Sequence, residues 1–119
     1  MGDAAHVNNP LGGLGLNSGI HDSIMLSGLL GRVIRGEESD ATLDLYDQER
    51  RPLNIEYVQQ DTTSNKRRLE EKLPRARAAN FEVLRRTVND PTSHRGYLLR
   101  ASLIESGRKS RQATPVAMA

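Results

Sequence analysis

The chain has 119 residues, enough for one domain and too few for two ordinary ones. Apolar residues make up 36% of it, with one Phe, three Tyr and no Trp, so Leu, Ile, Val and Ala must supply nearly all of any core. There is no cysteine, which excludes a disulfide scaffold, a Cys-based zinc site and a thiol nucleophile, and 17 Lys+Arg against 15 Asp+Glu leave a formal net charge of only +2.

Residues 1–19 are loop chemistry. Gly2, Gly12, Gly13, Gly15 and Gly19 stand among Asn8, Asn9, Pro10 and Asn17, residues that tolerate positive φ or break regular structure. From Ser18 the pattern turns helical: Ile20, Ile24, Leu26, Leu29, Leu30, Val33 and Ile34 recur at three- and four-residue steps. Asn17 or Ser18 is the expected N-cap, and Gly36 the expected stop. A second helix is expected from Ser39 or Asp40, interrupted or restarted at Pro52. Leu53 to Leu73 reads as a long polar helix with a gap in its apolar face from Gln59 to Asn65. Pro74 opens a weakly amphipathic helix closing at Asn89. Asp90-Pro91 caps and opens a last one running toward Gly107. Residues 108–119 read as a disordered tail. The expected organisation is thus a loop and helix over 1–36, a helical region over 37–107 and the tail.

The glycine-rich entrance carries the chemistry. Glycines that run into a helix start let a backbone approach a ligand closely and aim free N–H groups and the positive helix end at it. No Lys followed by Ser or Thr stands in this loop, which excludes a Walker A phosphate loop. No complete strand precedes it, so a self-contained dinucleotide-binding βαβ unit is absent. Asp3, just upstream, is a short carboxylate suited to accept a hydrogen bond from a ribose-type hydroxyl.

Gly2-Asp3-Ala4-Ala5-His6, then Pro10, then Gly13-Leu14-Gly15-Leu16-Asn17-Ser18-Gly19 and Asp22 together resemble the second flavin-binding motif of FAD-dependent aromatic hydroxylases, the single-component monooxygenases of the p-hydroxybenzoate hydroxylase type. Asp44, Tyr46, Glu49, Arg50, Arg51 and Pro52 make a second match at the corresponding place. The resemblance implies a mostly α-helical C-terminal part of a two-domain α/β FAD-binding fold. It implies that Asp3 binds a ribitol or ribose hydroxyl of FAD and that Pro10 lies beside the isoalloxazine. Backbone N–H groups around Gly13, Gly15, Leu16 and Asn17 would face the flavin's N1–C2=O edge. It implies a monooxygenase in which NADH or NADPH reduces the flavin and an aromatic, usually phenolic, substrate is hydroxylated. The chain departs from that family after Asp22, with Ser23, Met25-Leu26 and Gly28-Leu29 in place of the usual continuation. The Gly-x-Gly-x-x-Gly unit that holds the ADP half is not in these residues, nor is the sheet of the substrate pocket. The expectation is therefore an incomplete enzyme with no catalytic residue of its own.

Two other readings compete. His6 and His21, near Asp3 and Asp22, lack the spacing of a helical metal site, so no metal is expected. Basic clusters (Lys66-Arg67-Arg68, Arg75 and Arg77, Arg85-Arg86, and Arg108-Lys109 with Arg111) suggest a helical interaction or nucleic-acid-binding module without catalysis. Glu70-Glu71, Glu82 and Asp90 interleave those charges, and stacking aromatics are nearly absent, which argues against it. No apolar run approaches the ~20 residues of a membrane span, and no signal peptide is evident. A cytoplasmic location is the default expectation.

Overall fold

The structure, a computed structural model, is described for residues 1–113. Among those residues the regular structure is entirely helical. The first long helix, α1 (Leu14–Ile34), buries Leu14, Ser18, Asp22 and Leu29, a spacing that lines one face. Leu16, Ile20 and Ile24 form a second stripe that stays exposed. The helix begins four residues ahead of Ser18, a correction to the expected cap at Asn17 or Ser18. Gly13 takes that place with φ 65°, a left-handed conformation that glycine adopts without a Cβ penalty. Its N–H bonds to the Pro10 carbonyl at 3.0 Å, so a tight turn feeds the helix directly. Gly15, Leu16 and Asn17 therefore belong to the first turn of α1 rather than to the loop. The other end is as expected. Gly36 (φ 71°) follows Arg35, with Gly36 N–H bonded to Val33 O and Glu37 N–H to Arg32 O, both at 2.9 Å, the paired bonds of a Schellman cap.

A short 3-10 turn, Asp40–Leu43, leads into α2 (Asp44–Leu53), a π-helical turn (Asn54–Gln59) and α3 (Gln60–Glu70), which run on without a break. Pro52 lies inside this rod and does not interrupt it, contrary to expectation. A proline removes one backbone donor and crowds the preceding turn; the wider π turn that follows takes up the displaced bonding. The apolar gap between Gln59 and Asn65 is filled by Thr62, which is buried and returns its hydroxyl to Val58 O at 2.8 Å.

Helices α4 (Pro74–Asn89), α5 (Pro91–Ala101) and α6 (Ile104–Ala113) complete the described chain. Pro74 and Pro91 open their helices as expected, and the Asp90 carboxylate accepts the Ser93 N–H at 2.9 Å. The last helix does not run unbroken to Gly107. It breaks at Ser102-Leu103, where Leu103 turns with φ 58° and is buried. Arg108 to Ala113, expected as disordered tail, are instead helical in α6. The reason is partners on the rod: Lys109 Nζ meets Glu56 at 2.7 Å and the Ser110 hydroxyl meets Glu49 at 3.2 Å. Residues 114–119 of that tail lie outside the described residues. Gly107 lets α6 approach α1 closely, since a Cβ there would stand 3.0 Å from the His21 ring.

Among the described residues the apolar core is a small cluster, Leu14, Leu53, Tyr57, Val58 and Leu103, drawn from α1, the rod and the α5–α6 break, with Leu29 buried apart from it on α1. Two cations lie against the Tyr57 ring, Arg100 at 4.7 Å and Lys109 at 4.9 Å, while its hydroxyl donates to Glu105 at 2.9 Å. Arg100 also clamps Asp61 and the Glu56 carbonyl, tying α5 to the rod. Helices α4 and α5 bury no residue. The radius of gyration is accordingly 17.5 Å, against about 13–14 Å for a compact chain of this length.

Candidate functional site

Residues Gly2–Ala4 form a single 3-10 turn that folds over the start of α1. Gly2 (φ 56°) sits across from Gly19, and the Asp3 and Asn8 side chains reach over Gly15. A Cβ at Gly15 would stand 3.2 Å from Asn8 Nδ2 and 3.5 Å from Asp3 Oδ1, so glycine lets these two side chains lie close against the first turn. No side chain caps α1. The amides of Leu14, Gly15 and Leu16 therefore have no intrahelical acceptor and lie at the positive end of the helix dipole.

The structure thus brings Asp3 and Gly15 together, with Leu16 and Asn17 exposed on the same turn and Gly13 at its cap. Pro10 is exposed and joined to the site through its carbonyl bond to Gly13. Asn8 is the addition. The sequence showed it only as one loop residue among several, because nothing in its spacing reveals that it turns back over Gly15. An exposed carboxylate beside free amides at a helix start can take a ligand that offers hydroxyls on one side and a partly negative acceptor edge on the other.

Behind this turn lies a buried charged cluster. Asp22, with no exposed surface, accepts the Gly2 N–H at 2.9 Å and faces His6 Nε2 at 2.6 Å through Oδ2. Its Oδ1 accepts from Arg50 Nε at 2.7 Å. Arg50 is 3% exposed and also reaches the Ser18 carbonyl and hydroxyl at 3.4 and 3.3 Å. The Ser18 hydroxyl donates to Asn54 Oδ1, and Asn54 Nδ2 donates to the Arg50 carbonyl at 2.9 Å. Burial works to raise the Asp22 pKa, but bonds from Arg50, Gly2 and His6 outweigh it and hold the carboxyl below its usual range. Burial and the same carboxylate push Tyr46 up to about 12. His21, on α1, is lowered by burial and by Arg50.

His6, weighed from sequence only as a metal ligand and set aside, is a partner of Asp22. Arg50 stood in the second motif match without a role. Ser18 and Asn54 gave no signal of one. Among the described residues no three His, Asp or Glu gather as a metal-binding group. No described helix is long and apolar enough to cross a membrane. Several basic side chains of the helices are matched by acids, Arg85 and Arg86 with Glu82, Lys66 with Glu70 and Arg100 with Asp61.

Fold and site together define a helical segment in which a glycine-rich turn presents backbone donors beside a carboxylate. The family of FAD binding domains matches residues 1–61, and the chain belongs to it. Among curated proteins, the chain is 38% identical over 103 residues to tetracenomycin B2 monooxygenase-dioxygenase of Streptomyces olivaceus, covering 87% of this chain and 18% of that protein. It is 42% identical over 74 residues to 6-hydroxy-3-succinoylpyridine 3-monooxygenase of Pseudomonas putida, covering 62% and 19%. It is 36% identical over 98 residues to para-nitrophenol 4-monooxygenase of a Pseudomonas species, covering 82% and 24%. The chain therefore spans less than a quarter of the length of each of these relatives. No solved structure matches.

Proposed function

We propose that this chain is the flavin-edge segment of an FAD-dependent monooxygenase that hydroxylates an aromatic, phenol-like substrate. The observation that carries the proposal is the convergence of the exposed Asp3 carboxylate and the uncapped α1 amides at Gly15. The residues fit the cofactor. FAD offers ribityl hydroxyls that a carboxylate can accept from and a pyrimidine edge whose oxygen and nitrogen accept hydrogen bonds from amides. Asp3 holds a sugar-chain hydroxyl, and Asn8 stands beside it with both a donor and an acceptor. The amides of Gly15 and Leu16 would hold the N1–C2=O edge, while that of Asn17, one residue on, is taken up within the helix. Fixed donors at a helix N-terminus stabilise negative charge there without reorganising. Pro10 and the exposed Leu16 border the ring side. When bound, FAD supplies redox chemistry, taking a hydride from NADH or NADPH and activating oxygen.

None of these residues moves a proton in a catalytic step. The segment binds and orients, and the substrate-binding and ADP-binding parts lie in other residues of the complete enzyme. The relatives' names, each a monooxygenase and two of them acting on a nitrophenol and a hydroxylated pyridine, support the aromatic substrate class. The test is titration of FAD with the purified chain, read by quenching of flavin fluorescence. Saturable quenching that Asp3→Ala removes supports the proposal; equal quenching by both overturns the role of Asp3.

A further inference from the structure

We propose that Asp22, gripped by Arg50, is a positioning residue for the cofactor turn: it fixes Gly2–His6 over α1, and so sets where Asp3 stands, without itself touching the ligand. The inference rests on the flavin-edge reading above for what the turn binds, and on geometry alone for how it is held. Asp22 uses one oxygen for each side of its task. Oδ2 takes the Gly2 N–H at 2.9 Å and His6 Nε2 at 2.6 Å, at both ends of the turn that carries Asp3. Oδ1 takes the Arg50 Nε–H at 2.7 Å, anchoring the carboxylate to α2.

Nothing else described holds the turn as firmly. Residues Gly2–Ala4 bury nothing, and no side chain caps them. Their other recorded bonds are local, from Ala5 and His6 N–H to Gly2 O. Asp3 itself is exposed. Its position is therefore inherited from Gly2, held by Asp22 alone, and from His6, held by Asp22 at 2.6 Å and by Asn54 Nδ2 at 3.1 Å, itself part of the Arg50 cluster. The anchor is stiff because Arg50 and Asn54 lie one turn apart on the rod, with Ser18 bonded to both. A charge-assisted bond in a water-free setting holds direction as well as distance.

A merely structural role predicts that weakening the cluster lowers stability everywhere together. Positioning predicts a local effect at the turn. The experiment uses the full chain and two readouts, amide hydrogen exchange along residues 2–20 and FAD titration by fluorescence. His6→Ala removes one grip and leaves the Asp22–Arg50 pair intact. It should speed exchange at residues 2–6 and weaken FAD binding by about tenfold, while helix content and melting temperature stay close to those of the parent. His6→Gln, whose amide nitrogen reaches as far as the imidazole Nε2 and keeps a donor there, should recover part of both. Asp22→Asn keeps the shape and should loosen the same turn if the variant folds. Asp61→Asn breaks an ion pair of similar geometry between the rod and α5 and should change neither readout. Unchanged exchange at residues 2–6 in His6→Ala overturns the positioning role, whatever FAD does. Faster exchange at residues 2–6 with undiminished FAD affinity overturns the link to the cofactor and leaves the grip itself established. A parent chain that does not bind FAD at all contradicts the flavin-edge reading, while the exchange data still decide whether Asp22 holds the turn.

Discussion

The junction of α1 with α2 and the arm made by α4 and α5 are built on opposite terms. At the junction a carboxylate and a guanidinium are buried together and almost every bond of the carboxylate is met by a residue distant in sequence. On the arm nothing is buried, and Phe81, Val83, Val88, Tyr97 and Leu98 face outward. Apart from Arg100, which ties the end of α5 to Asp61 and Glu56, the arm stands on local devices: a proline at each helix start, the Asp90 cap and pairs such as Glu82 with Arg86. Such devices are each worth a fraction of what a packed core residue supplies. The lesson is that the chain concentrates its specificity where the candidate site is, and leaves the far end to helix propensity.

The largest effect should follow from breaking the junction. Arg50→Ala leaves Asp22 buried without its main partner, and loss of one member of a buried pair costs about 3–5 kcal/mol. With so small an apolar core, thermal unfolding followed by circular dichroism should show a strongly lowered midpoint or no cooperative transition.

Acid should attack the same place. The folded state lowers the Asp22 pKa, so the carboxylate's contribution is full above the unfolded carboxylate value of ~3.9 and is lost as pH falls through the depressed folded value. Urea midpoints should therefore drop steeply between pH 5 and the acid limit in the parent. In Asp22→Asn that drop should be shallower; an identical slope would place the acid sensitivity elsewhere.

A narrower effect is expected at the turn. Gly15→Ala inserts a Cβ 3.2 Å from Asn8 Nδ2 and 3.5 Å from Asp3 Oδ1, while alanine suits the helix itself. Stability should hold or rise slightly. FAD affinity should fall by about tenfold as Asn8 and Asp3 are displaced. Equal affinity would mean that the placement of Asn8 and Asp3 over Gly15 does not matter to the ligand.

The smallest effect belongs to the arm. Phe81 is 60% exposed, and Phe81→Ser should alter stability by no more than about 0.5 kcal/mol. A larger loss, measured by the same thermal unfolding, would reveal that the arm packs against something in solution.

How much of this could be read from the residues follows the same division. Local chemistry was legible: Pro74 and Asp90-Pro91 open helices, Gly36 closes one, and the glycine-rich entrance carried the resemblance to the FAD-binding family that matches residues 1–61. The start of α1 was not, because glycines at positions 13 and 15 read as loop when in fact Gly13 caps a helix in a left-handed conformation. Pro52 hid the continuous rod, since a π turn absorbs what a proline usually breaks. The charged run after Gly107 looked like a tail because its partners, Glu56 and Glu49, lie more than fifty residues earlier. The Asp22 cluster was hidden for the same reason. Gly2, Ser18, Arg50 and Asn54 converge only once three elements are packed, and no periodicity encodes that meeting.

The central claim is that Asp3 and the first turn of α1 form the edge of a flavin site. Its most direct test is fluorescence titration of FAD with the folded parent chain and with Asp3→Ala, at matched helix content. The account predicts saturable quenching by the parent and its loss in the variant. A folded parent that leaves FAD fluorescence untouched, or a variant that quenches as well as the parent, would contradict it.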